Sequence, residues 1–358
     1  RSTAASSAGW QSQSPFLALG GQMWPPSTFW AARKPQAQHR MSTNRPEITV
    51  AMPAYNAATH LREAMDSILC QTFEDFELLV VDDGSTDATL ALAESTGDRR
   101  VRTERLPANR GRATARNMAL GRARGRYIAW MDADDIALPH RLELQHNCLE
   151  AQPEIHICGA GVEYFGHSQA LELFPEQPEA ARAAALFGAP VPNGCSLLRL
   201  DAVRGFGLRY DAALARAEDM AFWADALLAA GLRATNLQVP LLRYRYAPAP
   251  QARQWHVRAL VGHVFPALGI RATGAQALLH AGLVYGADSS ADPAASASAL
   301  AWLDTLWQAW KARYGHDAHM QRHIVVFAAR ILRGAAATPE QAQAAAKALQ
   351  GLSIAGLT

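Results

Sequence analysis

Cysteine is scarce in this chain, four in 358 residues, and none of the four forms a CxxC pair. Cys70, Cys148, Cys158 and Cys195 sit inside apolar segments, the pattern of buried thiols in a reducing compartment rather than of a disulfide framework. Charge of one sign is also missing. The 34 basic and 32 acidic residues leave a formal net charge of +2 with no long like-charged run, which excludes a broad electrostatic footprint for nucleic acid. Phosphate must therefore be met locally. No apolar run approaches the ~18 residues needed to span a bilayer, so the setting reads as cytoplasmic, with peripheral association at the inner face of the membrane left open. Neither GxGxxG after the first strand nor GxxxxGK[ST] occurs, so the dinucleotide-fold and P-loop ways of holding phosphate are absent. The histidines show no ligand pattern and none is assigned.

What is present is a globular composition, 49% hydrophobic, and an alternating pattern. Residues 1–44 mix Ser, Gln, Pro and Trp without period and read as a disordered or non-native leader. Strands are predicted at Ile48–Met52, Phe76–Val81, Val101–Leu106 and Tyr127–Met131, with helices at Thr59–Leu69, from Gly84 through Leu92, and Arg112–Arg124. This order predicts an α/β fold, a mostly parallel sheet with helices on both faces. A helix running to about Glu150 and strands at Ile155–Val162, Cys195–Leu200 and Ala234–Tyr246 follow, with an amphipathic helix at Glu218–Ala230. Residues 163–192, rich in Pro and Ala, give no clear pattern. Residues 251–358 are Ala-rich and read as a helical extension to a domain at 45–250. Leu300, Trp302, Leu303, Leu306, Trp307 and Trp310 form a helical stripe suited to core or to a partner face. Thr338-Pro339-Glu340-Gln341 is a helix-start signal.

Two apolar runs end in acids, Asp82-Asp83 and Asp132-Ala133-Asp134-Asp135. Acids at the carboxyl ends of parallel strands face the crevice where open α/β sheets bind ligands. Crowded carboxylates in a cleft repel one another, and a hard divalent cation, Mg²⁺ or Mn²⁺, relieves that repulsion; the alternative is a solvated acidic turn.

The ordered series Met52-Pro53-Ala54-Tyr55-Asn56, Asp82-Asp83-Gly84-Ser85, Asn109-Arg110-Gly111, Ala115-Arg116-Asn117, Asp132-Ala133-Asp134-Asp135 and Glu218-Asp219 resembles the family 2 glycosyltransferases. The resemblance covers about residues 47–246. It implies the GT-A fold, a nucleotide-sugar donor, with a UDP-sugar as the family-weighted expectation, and a glycan or lipid-linked acceptor. It further implies that Pro53, Tyr55 and Asn56 line the nucleotide pocket, that Asp83 accepts a hydrogen bond from the base, and that Arg116 faces donor base or phosphate. The Asp132, Asp134 and Asp135 segment corresponds to the family's DxD region, one carboxylate on the ribose and another on the metal, without a fixed division among the three. Asp219 matches the general base, with Glu218 supporting it, and the reaction implied is one inverting displacement.

Three other readings compete. A non-catalytic sugar-nucleotide or glycan-binding module would share the fold. A haloacid-dehalogenase-like phosphatase would want Thr or Val where Ile136 stands. A sugar nucleotidyltransferase would want a Gly-rich basic loop in place of Pro53-Ala54-Tyr55-Asn56. One departure from the family lies at Tyr244-Arg245-Tyr246-Ala247-Pro248, where members often carry a basic and His-Ser segment that closes over the donor. The sequence leaves the oligomeric state open.

Overall fold

The computed structural model describes residues 45–247, 252–285 and 293–335. Its strands are β1 (Ile48–Ala54), β2 (Phe76–Asp82), β3 (Val101–Arg105), β4 (Tyr127–Trp130), β5 (Ile136–Ala137), β6 (Ile157–Gly166), β7 (Ala170–Glu172), β8 (Leu197–Arg199) and β9 (Ala234–Tyr246). They form one sheet in the order β3-β2-β1-β4-β8-β6-β9-β5, with β7 paired to β6. The first four strands in that order are mutually parallel. Helices α1 (Leu61–Leu69), α2 (Thr89–Glu94) and α3 (Arg112–Arg122) make the crossovers that parallel pairing requires. Beyond β4 the sheet is mixed: β8 runs antiparallel to β4 and β6, β9 parallel to β6, and β5 antiparallel to β9. β1 and β2 are buried at every position, so they read as continuous apolar runs. Their register, Ile48 opposite Phe76 through Ala54 opposite Asp82, delivers Tyr55 and Asp83 to the same edge. β4 pairs Ile48 with Tyr127 and Ala51 with Trp130, and so carries Asp132 to that edge too.

Side chains alternating along the strands feed two cores. Ile48, Val50 and Met52 pack with α1 and with Leu142 and Leu149 of α4 (Arg141–Ala151). Ala51, Leu79, Val81, Ile128 and Trp130 face the other layer. That layer holds α3, α5 (Pro178–Ala184), α6 (Leu200–Gly205), α7 (Glu218–Trp223) and the helices α8 (Ala252–Ala259), α9 (Phe265–Ala267), α10 (Gly274–Tyr285), α11 (Pro293–Tyr314) and α12 (Ala318–Ala335). Trp302, Leu303, Leu306, Trp307 and Trp310 are buried in this core, so the aromatic stripe packs inward. The helices after residue 251 thus share one apolar layer with the sheet. The helix start at 338–341 and the leader at 1–44 lie outside the described residues.

Three local expectations are corrected. The strand at Cys195–Leu200 is shorter: a 3₁₀ turn at Asn193–Cys195 precedes β8, and Leu200 already begins α6. The helix at Glu218–Ala230 changes winding, α-helical to Trp223 and π-helical over Ala224–Ala229. Of the cysteines, Cys158 and Cys195 are buried, but Cys70 is exposed at the C-cap of α1. Among the described residues no helix is long and apolar enough to cross a membrane.

Candidate active site

The first part of the site is the loop set at the ends of β1 and β2. Pro53 is buried in the sheet, whereas the Tyr55 ring stands in solvent. Asn56 takes a left-handed backbone (φ 48°). Its Oδ1 accepts from the Thr86 N–H at 2.9 Å, and its own N–H donates to Ser85 Oγ at 2.9 Å, so it pins the turn after β2. Asp83 is buried, and its two oxygens accept from the backbone N–H groups of Arg110 and Gly111, each at 2.8 Å. Gly84 has φ +69°, and a Cβ there would stand 2.5 Å from the Ala108 carbonyl carbon, so only glycine lets the 108–111 loop lie on this turn. The motifs read separately at Asn56, Asp83 and Asn109–Gly111 therefore form one hydrogen-bonded rim.

The second part is the acidic segment after β4, joined to the acidic pair of α7 by Arg116. This arginine is buried on α3; its Nη2 donates to Asp132 Oδ1 at 3.1 Å and its Nη1 to Glu218 Oε1 at 2.5 Å. With the Asn193 amide oriented so that its nitrogen donates to the Tyr210 hydroxyl, its oxygen accepts from Arg116 Nε at 3.3 Å and Nη2 at 3.2 Å. The guanidinium carbon lies 5.4 Å from the Tyr210 ring centroid. Burial opposes the charge, and the carboxylates of Asp132 and Glu218 more than offset it, holding the guanidinium above its ordinary value. Arg116 thus spends its donors within the protein, where the resemblance places a residue facing the donor.

The acids are not equivalent. Glu218 is sealed, with Arg112 Nε also 3.5 Å from its Oε1. Asp219 beside it is only half-buried, and its Oδ1 accepts from the Met220 N–H in the first turn of α7, where the helix dipole favours an anion. Ala217 before them is left-handed (φ 60°); among the described residues it and Asn56 are the two non-glycine residues with positive φ. Such backbone costs of order 1 to 3 kcal/mol and tends to cluster at functional sites. Asp134 is exposed and its carbonyl accepts from Arg245 Nε at 2.9 Å. Asp135 is buried; its Oδ1 accepts from the Arg245 N–H at 2.7 Å, while its Oδ2 has no hydrogen-bond partner. Burial first, then the charge of Asp132, push its carboxyl up to about 8.

These acids suit a hard cation. A Cβ on Gly194 would stand 3.1 Å from Asp132 Oδ2 and 3.4 Å from Asp135 Oδ2, so glycine leaves two carboxylate oxygens facing one small space, one of them buried without a donor. Asp132, Asp134 and Asp135 do not converge as a set of three. Among the described residues only Glu47, His146 and Glu150 bring three potential ligand atoms within 4.8 Å of one another. Arg126 Nη1 already lies 3.1 Å from Glu47 and 3.0 Å from Glu150 there, at the opposite end of β4.

Reading motifs missed Asn193, Gly194, Tyr210 and Tyr244. Asn193-Gly194 is a turn dipeptide, a usable signal within a Pro-rich stretch; Tyr210 carries none. Tyr244 lies on β9 with its ring 37% exposed, and partial desolvation, then the charges of Asp132, Asp135, Asp134 and Asp219, raise its phenol above the ordinary range.

The site thus sets hydrogen-bonded loops after β1 and β2 beside the acids after β4 at one edge of an open α/β sheet. The sequence model of "Glycosyl transferase family 2" matches residues 49–198. EpsE of Bacillus subtilis, whose name marks it as a proposed glycosyltransferase, is 32% identical over 206 residues, 56% of this chain and 73% of that protein. The succinoglycan biosynthesis protein ExoO of Rhizobium meliloti is 46% identical over 97 residues, 27% of this chain and 28% of that protein. TarS of S. aureus (residues 1–349), solved with UDP-GlcNAc, shares the fold with a TM-score of 0.56 and 17% identity over 81% of this chain and 89% of that one. The chain belongs to glycosyltransferase family 2.

Proposed function

We propose that residues 45–250 form the transferase domain, with the helices beyond 251 as an extension of it, and that it moves a sugar from a nucleotide-sugar donor, a UDP-sugar first, to a hydroxyl of a glycan or lipid-linked acceptor with inversion. The observation that carries this reading is the Arg116 bridge, which holds the DxD-type acid Asp132 and the acidic helix start in one rigid unit. Pro53, Tyr55, Asn56 and Asp83 take the nucleotide at the β1–β2 rim. Asp219 removes the proton of the attacking hydroxyl, and Glu218, locked on Arg116, positions it. Of the expected metal residues Asp132, Asp134 and Asp135, the two whose oxygens face one space at Gly194, Asp132 and Asp135, would hold Mg²⁺ or Mn²⁺. When bound, that ion offsets the negative charge gathering on the diphosphate. The name of ExoO, a succinoglycan biosynthesis protein, supports a role in polysaccharide or cell-envelope synthesis, and a lipid-linked acceptor would place the enzyme at the inner face of the membrane.

The test is calorimetry with UDP and UDP-sugars in Mn²⁺ and in EDTA, followed by transfer to candidate acceptors and assignment of the product anomer. Binding that collapses in EDTA and an inverted product support the reading. Equal affinity in both buffers would remove the metal, and a retained anomer would remove the single displacement. Tight donor binding without transfer to any acceptor or to water would favour a binding module.

A further inference from the structure

We propose that the ring of Tyr244 is the platform on which the transferred sugar lies, an inference that rests on the donor reading above. β9 is stitched to the acidic segment twice. β5, which follows Asp135 directly, pairs with β9 through Ile136 and Arg243, and the Arg245 N–H and Nε hold Asp135 and the Asp134 carbonyl. Arg243 and Arg245 place their guanidinium carbons 4.8 and 4.4 Å from the Phe165 ring centroid, so alternation turns Tyr244 and Tyr246 to the other face. There both rings meet Tyr164 edge-on, at 5.5 and 5.7 Å, and Tyr164 is itself fixed by a hydrogen bond to Glu172. The Tyr244 ring is thus rigidly backed yet 37% exposed, and its hydroxyl makes no hydrogen bond among the described residues.

The surroundings select the ligand. Carboxylates accept hydrogen bonds from sugar hydroxyls, while the C–H face of a pyranose packs on an aromatic ring. On the donor reading the anomeric carbon lies between the acids that serve the diphosphate, Asp132 and Asp135, and the base, Asp219. In the sheet order β9 lies on the far side of β4 from the β1–β2 rim, and Tyr244 sits between Arg243, paired with Ile136, and Arg245, whose N–H holds Asp135, which assigns the ring to the transferred sugar rather than to the nucleotide.

The test compares wild type, Tyr244→Phe, Tyr244→Leu and Tyr244→Ala by calorimetry in Mn²⁺. The probes are UDP-GlcNAc, UDP-glucose, UDP-galactose and GDP-mannose, each against its bare nucleoside diphosphate. For the sugar nucleotide that wild type binds best, Tyr244→Ala and Tyr244→Leu should weaken binding about threefold to tenfold, the range of an aromatic contact, while the bare diphosphate is unaffected. Tyr244→Phe should keep both. Leu retains apolar bulk on Tyr164, so it serves if Ala fails to fold. Equal loss for sugar nucleotide and diphosphate, loss in neither, or a Phe variant as weak as Ala overturns the platform. If wild type binds no diphosphate at all, the donor reading fails first and the platform falls with it.

Discussion

Arg116 and Arg141 are both buried and flank the same acidic segment, yet their surroundings differ in kind. Arg116 faces two carboxylates, Asp132 and Glu218. Arg141 spends its donors on neutral acceptors: the Trp130 carbonyl at 2.6 Å, Gln145 Oε1 at 3.3 Å and the Met131 sulfur at 3.3 Å. Burial accordingly lowers the Arg141 pKa, while paired acids raise that of Arg116. The acids follow suit. Asp132, on the Arg116 side, is ion-paired; Asp135, with no direct guanidinium partner, holds its proton to about pH 8. One arginine ties two acidic segments together, and the other is held by neutral acceptors against the end of β4.

The largest effect expected on the Arg116 side is catalytic. Asp219→Asn keeps size and much of the hydrogen bonding but removes the proton acceptor, so turnover should fall roughly 10² to 10⁴-fold with donor affinity unchanged. Near-normal transfer by this variant would send the search for the base elsewhere. Next comes the pair of arginines. Arg116→Met strands the buried Glu218 and should cost about 3 to 5 kcal/mol in denaturant unfolding, with half-exposed Arg112 compensating in part. Glu218→Gln in the same chain should recover most of that. Arg141→Met leaves neutral acceptors unpaired and should cost about 1 to 3 kcal/mol, with no recovery from Glu218→Gln. Equal losses, or recovery in both backgrounds, would erase the distinction.

Asp135→Asn sharpens the contrast at smaller amplitude. The folded carboxyl titrates near 8 against 3.8 for an ordinary one, so the native state binds the extra proton and stability falls as pH rises between those values. In EDTA, Asn should therefore stabilise the protein by about 1 to 3 kcal/mol at about pH 9 and by little at about pH 4. A pH-independent difference would mean Asp135 stays ionised.

How much of this was readable from residues alone depends on range. β1 and β2 were legible because burial on both faces leaves unbroken apolar runs, and the acids after β2 and β4 marked the carboxyl edge of the sheet. The inward-facing Trp stripe showed its helix but not its partner. The Arg116–Glu218 bond spans 102 residues of sequence, and no local pattern announces it. Gly194 and Tyr244 escaped for a related reason: their roles come from what β8 and β9 bring beside Asp132 and Asp135. The π-helical stretch after Trp223 was invisible because its apolar spacing still fits a helix.

The weakest expected effect concerns how the helices after residue 251 grip α7 and its continuation. His263 lies in a π-helical stretch (Leu260–Val264); its Nδ1 is 2.9 Å from Asp225 Oδ2 and its Nε2 is 3.2 Å from Asp211 Oδ2. Asp225 belongs to the π-helical continuation of α7, and Asp211 follows Tyr210, the ring beneath Arg116. Both ring nitrogens can donate to carboxylates only as imidazolium. The Asp225 hydrogen bond, reinforced by Asp211 and opposed by burial, raises the His263 pKa above 6.5. The bond therefore contributes fully below that ordinary value and is lost as pH climbs through the raised one. His263→Gln should cost about 1 kcal/mol at about pH 6, and the deficit should vanish by about pH 9. Urea unfolding across that range reads the difference directly. A deficit that stays constant would make His263 a neutral packing residue between the two helices.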